Sequence, residues 1–199
     1  MRVGVLALQG DVPEHTRAVE RLVHEPVRPV RMPSDLTGLD ALLLPGGEST
    51  TISDLMDGAG LRAPLRTAID EGLAVLATCA GLIVLSRRLE PSAGGRDPRP
   101  IELLDVRVRR NDFGRQRESF EAELRVEGLT GGPFPGVFIR SPRILEVGPD
   151  ARPIAWRAEE VVGVRAGRVW GLTFHPELAA DPRLHRLFLD SVSRAGRAP

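Results

Sequence analysis

The chain has 199 residues, in which 27 Lys+Arg balance 27 Asp+Glu, and it carries a single cysteine. That length predicts one domain over 1–199 with a core large enough to need no staples, and the cancelled charge argues against nucleic acid or an anionic membrane as a partner. A lone thiol cannot close an internal disulfide, so a reducing, cytoplasmic setting is expected and the sulfur is left free for chemistry.

The run Val3-Gly4-Val5-Leu6-Ala7-Leu8 is too short for a signal segment or a membrane span, and it predicts a strand buried on both faces of a parallel sheet. After the turn Gln9-Gly10-Asp11, a helix is expected to start at Val12-Pro13-Glu14-His15 and to bury Ala18, Val19, Leu22 and Val23. Val27 to Arg31 predicts a second strand, Pro33 to Leu36 a turn, and Ala41 to Leu44 a third strand stopped by Pro45-Gly46-Gly47. Ser49 is placed to cap a helix through Ile52, Leu55 and Met56, and Leu61 to Glu71 predicts another.

Leu73 to Ala77 is the next buried strand, and Leu82 to Arg87 reads as a helix. Pro91 to Pro100, rich in Gly, Pro, Asp and Arg, predicts an exposed loop. Strands are expected at Leu103 to Arg109, Phe120 to Val126, Val137 to Arg140, Ile154 to Arg157, Val161 to Arg165 and Val169 to Phe174, several of them antiparallel. A last helix from Pro182 to Ser193 buries Leu184, Leu187, Phe188 and Val192, and 194–199 is expected to fray.

The cysteine sits where such a fold places a nucleophile. Thr78-Cys79-Ala80-Gly81 is a tight turn of small residues between strand and helix, which holds a side chain clear of the sheet at a helix N-terminus. A cysteine in an apolar stretch is more often a buried hydrophobe, but a packed core does not call for Ala77, Ala80 and Gly81 around it, whereas a sharp turn does. A base is offered by His175-Pro176-Glu177, directly after the last predicted strand. Each feature ends a predicted strand, and together Cys79, His175 and Glu177 would form a triad.

Six segments occur in order: Leu8-Gln9-Gly10, Leu44-Pro45-Gly46-Gly47-Glu48-Ser49-Thr50-Thr51, Thr78-Cys79-Ala80-Gly81-Leu82-Ile83, Arg110-Asn111-Asp112-Phe113-Gly114-Arg115-Gln116, Val137-Phe138-Ile139-Arg140-Ser141-Pro142 and Phe174-His175-Pro176-Glu177-Leu178. Over nearly the whole chain these resemble the glutaminase subunits of pyridoxal 5'-phosphate synthase, a family of class I (triad) glutamine amidotransferases. The cysteine turn and His-Pro-Glu indicate class I amidotransferases in general. The second, fourth and fifth segments narrow the resemblance to vitamin B6. One departure is Ala77, where the family's Gly-x-Cys-x-Gly turn begins with glycine; the other is the 91–100 loop, longer and more basic than the family pattern.

The resemblance implies a three-layer, flavodoxin-like α/β fold with a mostly parallel central sheet, helices on both faces and additional antiparallel strands. It implies Cys79 as nucleophile, His175 as base and acid, and Glu177 as the group orienting the imidazole. Gly47 and Ala80 would supply backbone N–H groups to an oxyanion, although by itself Gly46-Gly47 is equally an ordinary strand-to-helix turn. Gly47, Glu48, Ser49, Arg110, Ile139 and Arg140 would bind L-glutamine, the two arginines toward its carboxylate. No metal and no cofactor are expected. Ammonia would pass to a separate synthase subunit, in a complex of twelve synthase and twelve glutaminase chains. The residues alone leave open an amidotransferase of another pathway, a cysteine hydrolase of related fold, and an inert regulatory subunit.

Overall fold

Apolar runs that need burial on two faces alternate with amphipathic helices that need burial on one, and a sheet covered on both sides satisfies both. The computed structural model describes residues 1–92, 96–110 and 119–195. In chain order the first half comprises β1 (Val3–Leu6), α1 (Val12–Val23), β2 (Arg28–Val30), a 3-10 turn (Pro33–Leu36), β3 (Ala41–Leu44), α2 (Ser49–Gly58), α3 (Arg62–Asp70), β4 (Ala74–Thr78) and α4 (Ala80–Leu85). There follow β5 (Ser86–Leu89), β6 (Leu104–Arg109), β7 (Phe120–Val126), β8 (Phe134–Phe138), β9 (Arg143–Val147), β10 (Arg152–Arg157), β11 (Glu160–Ala166), β12 (Val169–Leu172) and α5 (Arg183–Ala195).

Nine strands form one sheet in the order β2-β1-β3-β4-β12-β11-β10-β7-β8, and β5-β6-β9 form a second. The run from β2 to β12 is parallel, and from β12 outward each pairing is antiparallel. The expected parallel core with appended antiparallel strands is therefore what the chain forms. β1, β3, β4 and β12 are buried at every position. Period-two alternation sends Leu42, Leu44, Val75 and Ala77 to one face against Ile52, Met56, Leu65 and Leu82. Leu43, Leu76 and Trp170 point the other way, against Val19, Leu184 and Phe188 of α1 and α5. Each large aliphatic so buried contributes about 1.5–3 kcal/mol. Among the described residues, no helix is long and apolar enough to cross a membrane.

Several local expectations are revised. The helix after Cys79 ends at Leu85: the Ser86 hydroxyl donates to the Ile83 carbonyl, and the chain goes extended into β5. Arg87 and Arg88 leave the core there and pair with Asp150, Asp105 and Glu146. β8 starts at Phe134, upstream of the expected Val137, because Pro135 and Gly136 are tolerated on an edge strand. The cap of α2 is Glu48, whose carboxylate accepts from the Thr51 N–H at 2.7 Å, while Ser49 lies inside the first turn. The described part of the 91–100 loop is tied down: Arg96 pairs with Asp54, and Ser53 Oγ accepts from the Arg99 N–H at 3.0 Å. The tail expected to fray from 194 is helical at Arg194 and Ala195, where α5 ends, and its remainder, 196–199, lies outside the described residues.

Two histidines are enclosed beneath α1 and α5. The rings of His15 and His185 meet edge to face with centroids 5.7 Å apart, and neither nitrogen of His185 has a partner among the described residues. Burial, with His15 acting in the same direction and Glu177 opposing, pushes the His185 pKa down to about 3. An unfolded histidine titrates near 6.5, so the unfolded chain binds the extra proton between these values. The stability carried by neutral His185 is whole above pH ~6.5 and is lost as pH falls toward about 3, at about 1.4 kcal/mol per pH unit.

His185→Leu should therefore lose stability less steeply than the parent when urea unfolding is followed from about pH 7 to about pH 5; parallel curves would contradict this. Gly81→Ala should lower stability by about 1–3 kcal/mol in the same measurement, because a Cβ there runs into the Leu44 carbonyl where α4 crosses β3. An unchanged midpoint would show that α4 can shift freely.

Candidate active site

The C-terminal ends of four parallel strands lie side by side, where sheets of this kind bind ligands. β3 runs into Pro45-Gly46-Gly47, β1 leads to Gln9-Gly10-Asp11, β4 to Cys79 and β12 to His175. Leu44 pairs with Ala77 and Leu172 with Thr78, so the register brings these segments to one rim.

Cys79 has φ 47° and ψ −103°, a conformation that costs a side-chain-bearing residue about 1–3 kcal/mol. It is held there because its N–H donates to the Leu172 carbonyl at 2.9 Å and its own carbonyl accepts from Ile83 N–H at 3.2 Å. Its sulfur stands 4.0 Å from the Ile139 carbonyl.

The His175 N–H donates to the Val137 carbonyl at 2.8 Å, which ties the segment after β12 to β8. Nδ1 of His175 is 2.8 Å from Glu177 Oε1 and 3.3 Å from Asp11 Oδ2. Two carboxylates on that side place the proton on Nδ1, a tautomer assigned from the hydrogen-bond pattern. In the neutral ring Nε2 is thereby the nitrogen left to receive a proton, and it is buried with no hydrogen-bond partner among the described residues. Burial disfavours charge on this ring, but Asp11, Cys79 and Glu177 outweigh it and raise the His175 pKa to about 12. The same competition runs in Glu177: burial pushes its carboxyl up, and His15 and His175 more than offset that, holding it below the usual range.

The glycine turn is pinned on two sides. The Gly46 carbonyl accepts from Asp11 N–H at 3.1 Å, and Gln9 Oε1 accepts from Glu48 N–H at 2.7 Å. Gly47 has φ +150°, and a Cβ on it would fall 2.5 Å from Gln9 Oε1; one on Gly46 would run into the His175 ring. Both positions exclude side chains for reasons of space as well as conformation.

Arg110 reaches Glu48 Oε1 at 3.3 Å and Asp97 Oδ1 at 3.2 Å, and also donates to the Arg96 carbonyl. The Ser92 hydroxyl in turn donates to Asp97 at 2.6 Å. Ser92, Arg96 and Asp97 thus bracket this guanidinium. Arg140 is exposed at φ 45°, directly after Ile139. The rest of the Arg110 to Gln116 segment, 111–116, lies outside the described residues.

A cavity of about 230 Å³ brings together Gly47, Glu48, Ser49, Cys79, Ala80 and Arg110, closed on another side by Ile139, Arg140 and His175. Among the residues expected from the sequence, Glu177 alone is set back, behind His175, where it lines a separate cleft between α1 and α5. A larger cavity, about 990 Å³, includes Leu39, Gly72 and Arg168 at the opposite edge of the sheet and holds none of these groups. Asp11, His175 and Glu177 are the one group among the described residues that could offer metal ligands. Both carboxylates converge on the protonated ring nitrogen, the geometry of hydrogen bonds to an N–H.

The sequence reading missed Asp11, Gln9, Ile83, Leu178 and His15. Asp11, Ile83 and Leu178 line the cavity. His15 lies behind it, with Nε2 3.0 Å from Thr78 Oγ1 and 3.3 Å from Glu177 Oε2. A signal for His15 existed, since it shares the buried face of α1 with Val19, four residues on.

Residues 5–194 match the SNO glutamine amidotransferase family. The pyridoxal 5'-phosphate synthase subunit PdxT of Thermococcus onnurineus is 50% identical over 195 residues, covering 95% of this chain and 98% of that protein. The protein of the same name from Geobacillus thermodenitrificans is 49% identical, covering 98% and 97%. A crystal structure of a glutamine amidotransferase superposes with a TM-score of 0.88 at 45% identity, covering 97% of this chain and all of the other. The structure of PurLQS from Thermotoga maritima shares the fold, with a TM-score of 0.69 at 17% identity over 96% of this chain and 98% of that one. Matched along nearly its whole length, the chain belongs to the SNO glutamine amidotransferase family.

Proposed function

We propose that this chain, as a single amidotransferase domain, is the glutaminase subunit of a pyridoxal 5'-phosphate synthase, releasing ammonia from L-glutamine for vitamin B6 biosynthesis. The observation that carries the reading is the His175–Glu177 pair at 2.8 Å, with Nε2 of His175, unpaired among the described residues, on a ring that lines the same cavity as Cys79. The names of the relatives supply the pathway.

In this reading Nε2 of His175 holds the proton taken from the thiol, and the Cys79 sulfur attacks the side-chain carbonyl carbon of glutamine. The N–H groups of Gly47 and Ala80 face the oxyanion of the tetrahedral intermediate. Its collapse breaks the C–N bond, and His175 returns the proton to the leaving nitrogen as ammonia departs. Water, deprotonated by His175, then attacks the glutamyl thioester, and the C–S bond breaks to give glutamate and the free thiol. Glu177 holds the Nδ1–H and stabilises the charged ring. Arg110 and Arg140 take the α-carboxylate, with Glu48 and Ser49 near the α-ammonium. The cavity suits a free amino acid, being smaller than the about 300–1,000 Å³ of drug-sized sites.

The setting is a cytoplasmic complex of twelve synthase and twelve glutaminase chains, with ammonia handed to the synthase. The Gly46-Gly47 peptide gives docking a lever. Its carbonyl is tied to the Asp11 N–H, so turning the peptide toward the oxyanion exchanges that 3.1 Å bond for a catalytic one. Partner contact would bias that exchange.

Cys79→Ala should abolish glutamine-driven pyridoxal 5'-phosphate formation by the assembled complex and leave ammonium-driven formation unchanged; loss of both would overturn the assignment. Glutamate release should also be much slower from the isolated chain than from the complex, and equal rates would remove the docking switch.

A further inference from the structure

His15 shares the buried face of α1 with Val19, yet it is fully buried and polar. Such a group is retained where its hydrogen bond does something. Its Nε2 stands between two acceptors, Thr78 Oγ1 at 3.0 Å and Glu177 Oε2 at 3.3 Å, the latter off the axis of the hydrogen bond. Thr78 immediately precedes Cys79. Glu177 grips His175 with its other oxygen. One imidazole nitrogen therefore joins the strand end carrying the nucleophile to the acid that orients the base.

The tautomer follows from these neighbours. A lone pair on Nε2 would face a carboxylate oxygen at 3.3 Å, whereas an N–H there faces two acceptors. Nδ1 has no partner among the described residues, and a buried lone pair is left unpaired more readily than a buried N–H. The charged and titratable groups around the ring are Glu177, His175, Asp11 and Glu14, with His185 packed on it from α5. Burial outweighs the carboxylates among them and keeps His15 neutral.

We propose that His15 is a positioning residue of the glutaminase reaction: its Nε2–H, hydrogen-bonded to Thr78 Oγ1 and facing Glu177 Oε2 at 3.3 Å, attracts that oxygen and so keeps Oε1 on the Nδ1–H of His175. The inference rests on the reading of Cys79, His175 and Glu177 as the triad. Without that ring N–H, Oε2 is a buried anionic oxygen with no side-chain N–H facing it, and the carboxylate is freer to turn or take a proton. The base then loses orientation and charge stabilisation in the transition state. Substrate binding is spared, because His15 does not line the 230 Å³ cavity. Asp11, 3.3 Å from the same Nδ1, bounds the loss.

The test uses the glutaminase assembled with its synthase and reads glutamate release. His15→Leu should lower kcat about 10- to 100-fold, the range for residues that orient a functional group, with KM unchanged within about twofold. In a Glu177→Gln background the same change should cost little more, since its effect runs through Glu177. Gln places an amide N–H near the position of Nε2 and Asn near that of Nδ1, so His15→Gln should be at least about tenfold more active than His15→Asn. That pair also decides the matter if the leucine variant does not fold. An unchanged kcat in His15→Leu, equal loss in the Gln and Asn variants, or independent losses in the double variant would overturn the role of His15. If Glu177→Gln or Cys79→Ala itself kept full activity, the triad reading would fail instead.

Discussion

The pairing of β4 with β12 is the constraint on which the site depends. These strands run parallel with Leu172 opposite Thr78, and the next ladder bond, Cys79 N–H to the Leu172 carbonyl at 2.9 Å, fixes the backbone of the proposed nucleophile. Three residues beyond Leu172 comes His175, anchored through its own N–H to Val137. A slip of one residue in this ladder would turn Cys79 toward the core and carry His175 to the other face. Both strands are buried at every position, so such a slip would repack the core, and the core thereby sets the relative placement of Cys79 and His175.

Close approach is the second condition. Gly46, Gly47 and Gly81 each sit where a Cβ would strike a neighbour at the rim, respectively the His175 ring, the Gln9 side chain and the Leu44 carbonyl. The backbone turns can therefore crowd one imidazole and one thiol. Into the same space the fold puts three anionic or potentially anionic groups, Asp11, Glu177 and Cys79, around His175. The resulting field favours a charged ring in a place where burial alone would forbid it, and an imidazole so placed is a strong acceptor for a thiol proton.

Much of this was legible because it is local. The cysteine turn, the glycine turn and His-Pro-Glu each end a strand whose apolar run is visible in the sequence. What the sequence could not display is tertiary. His15 shows only as a polar residue on an apolar helix face; its contacts with Thr78 and Glu177 span 63 and 162 positions along the chain. Ser49 reads as a cap by residue type, yet the longer Glu48 side chain reaches the Thr51 N–H first. β9 went unseen because Arg143-Ile144-Leu145-Glu146-Val147 follows a proline turn and pairs with the distant β6. The 91–100 segment has the composition of free loop, but its described residues Arg96, Asp97 and Arg99 are held by Asp54, Arg110 and Ser53 on other elements.

The central claim is that Cys79 carries the glutamyl group under the control of His175. Its most direct measurement is the mass of the peptide bearing Cys79 after acid quench of the assembled complex during glutamine turnover. The account predicts one added glutamyl group on that peptide in the parent and none in His175→Asn. Glutamate released at full rate by His175→Asn, or a parent peptide with no adduct while a glutamyl group sits elsewhere, would contradict it.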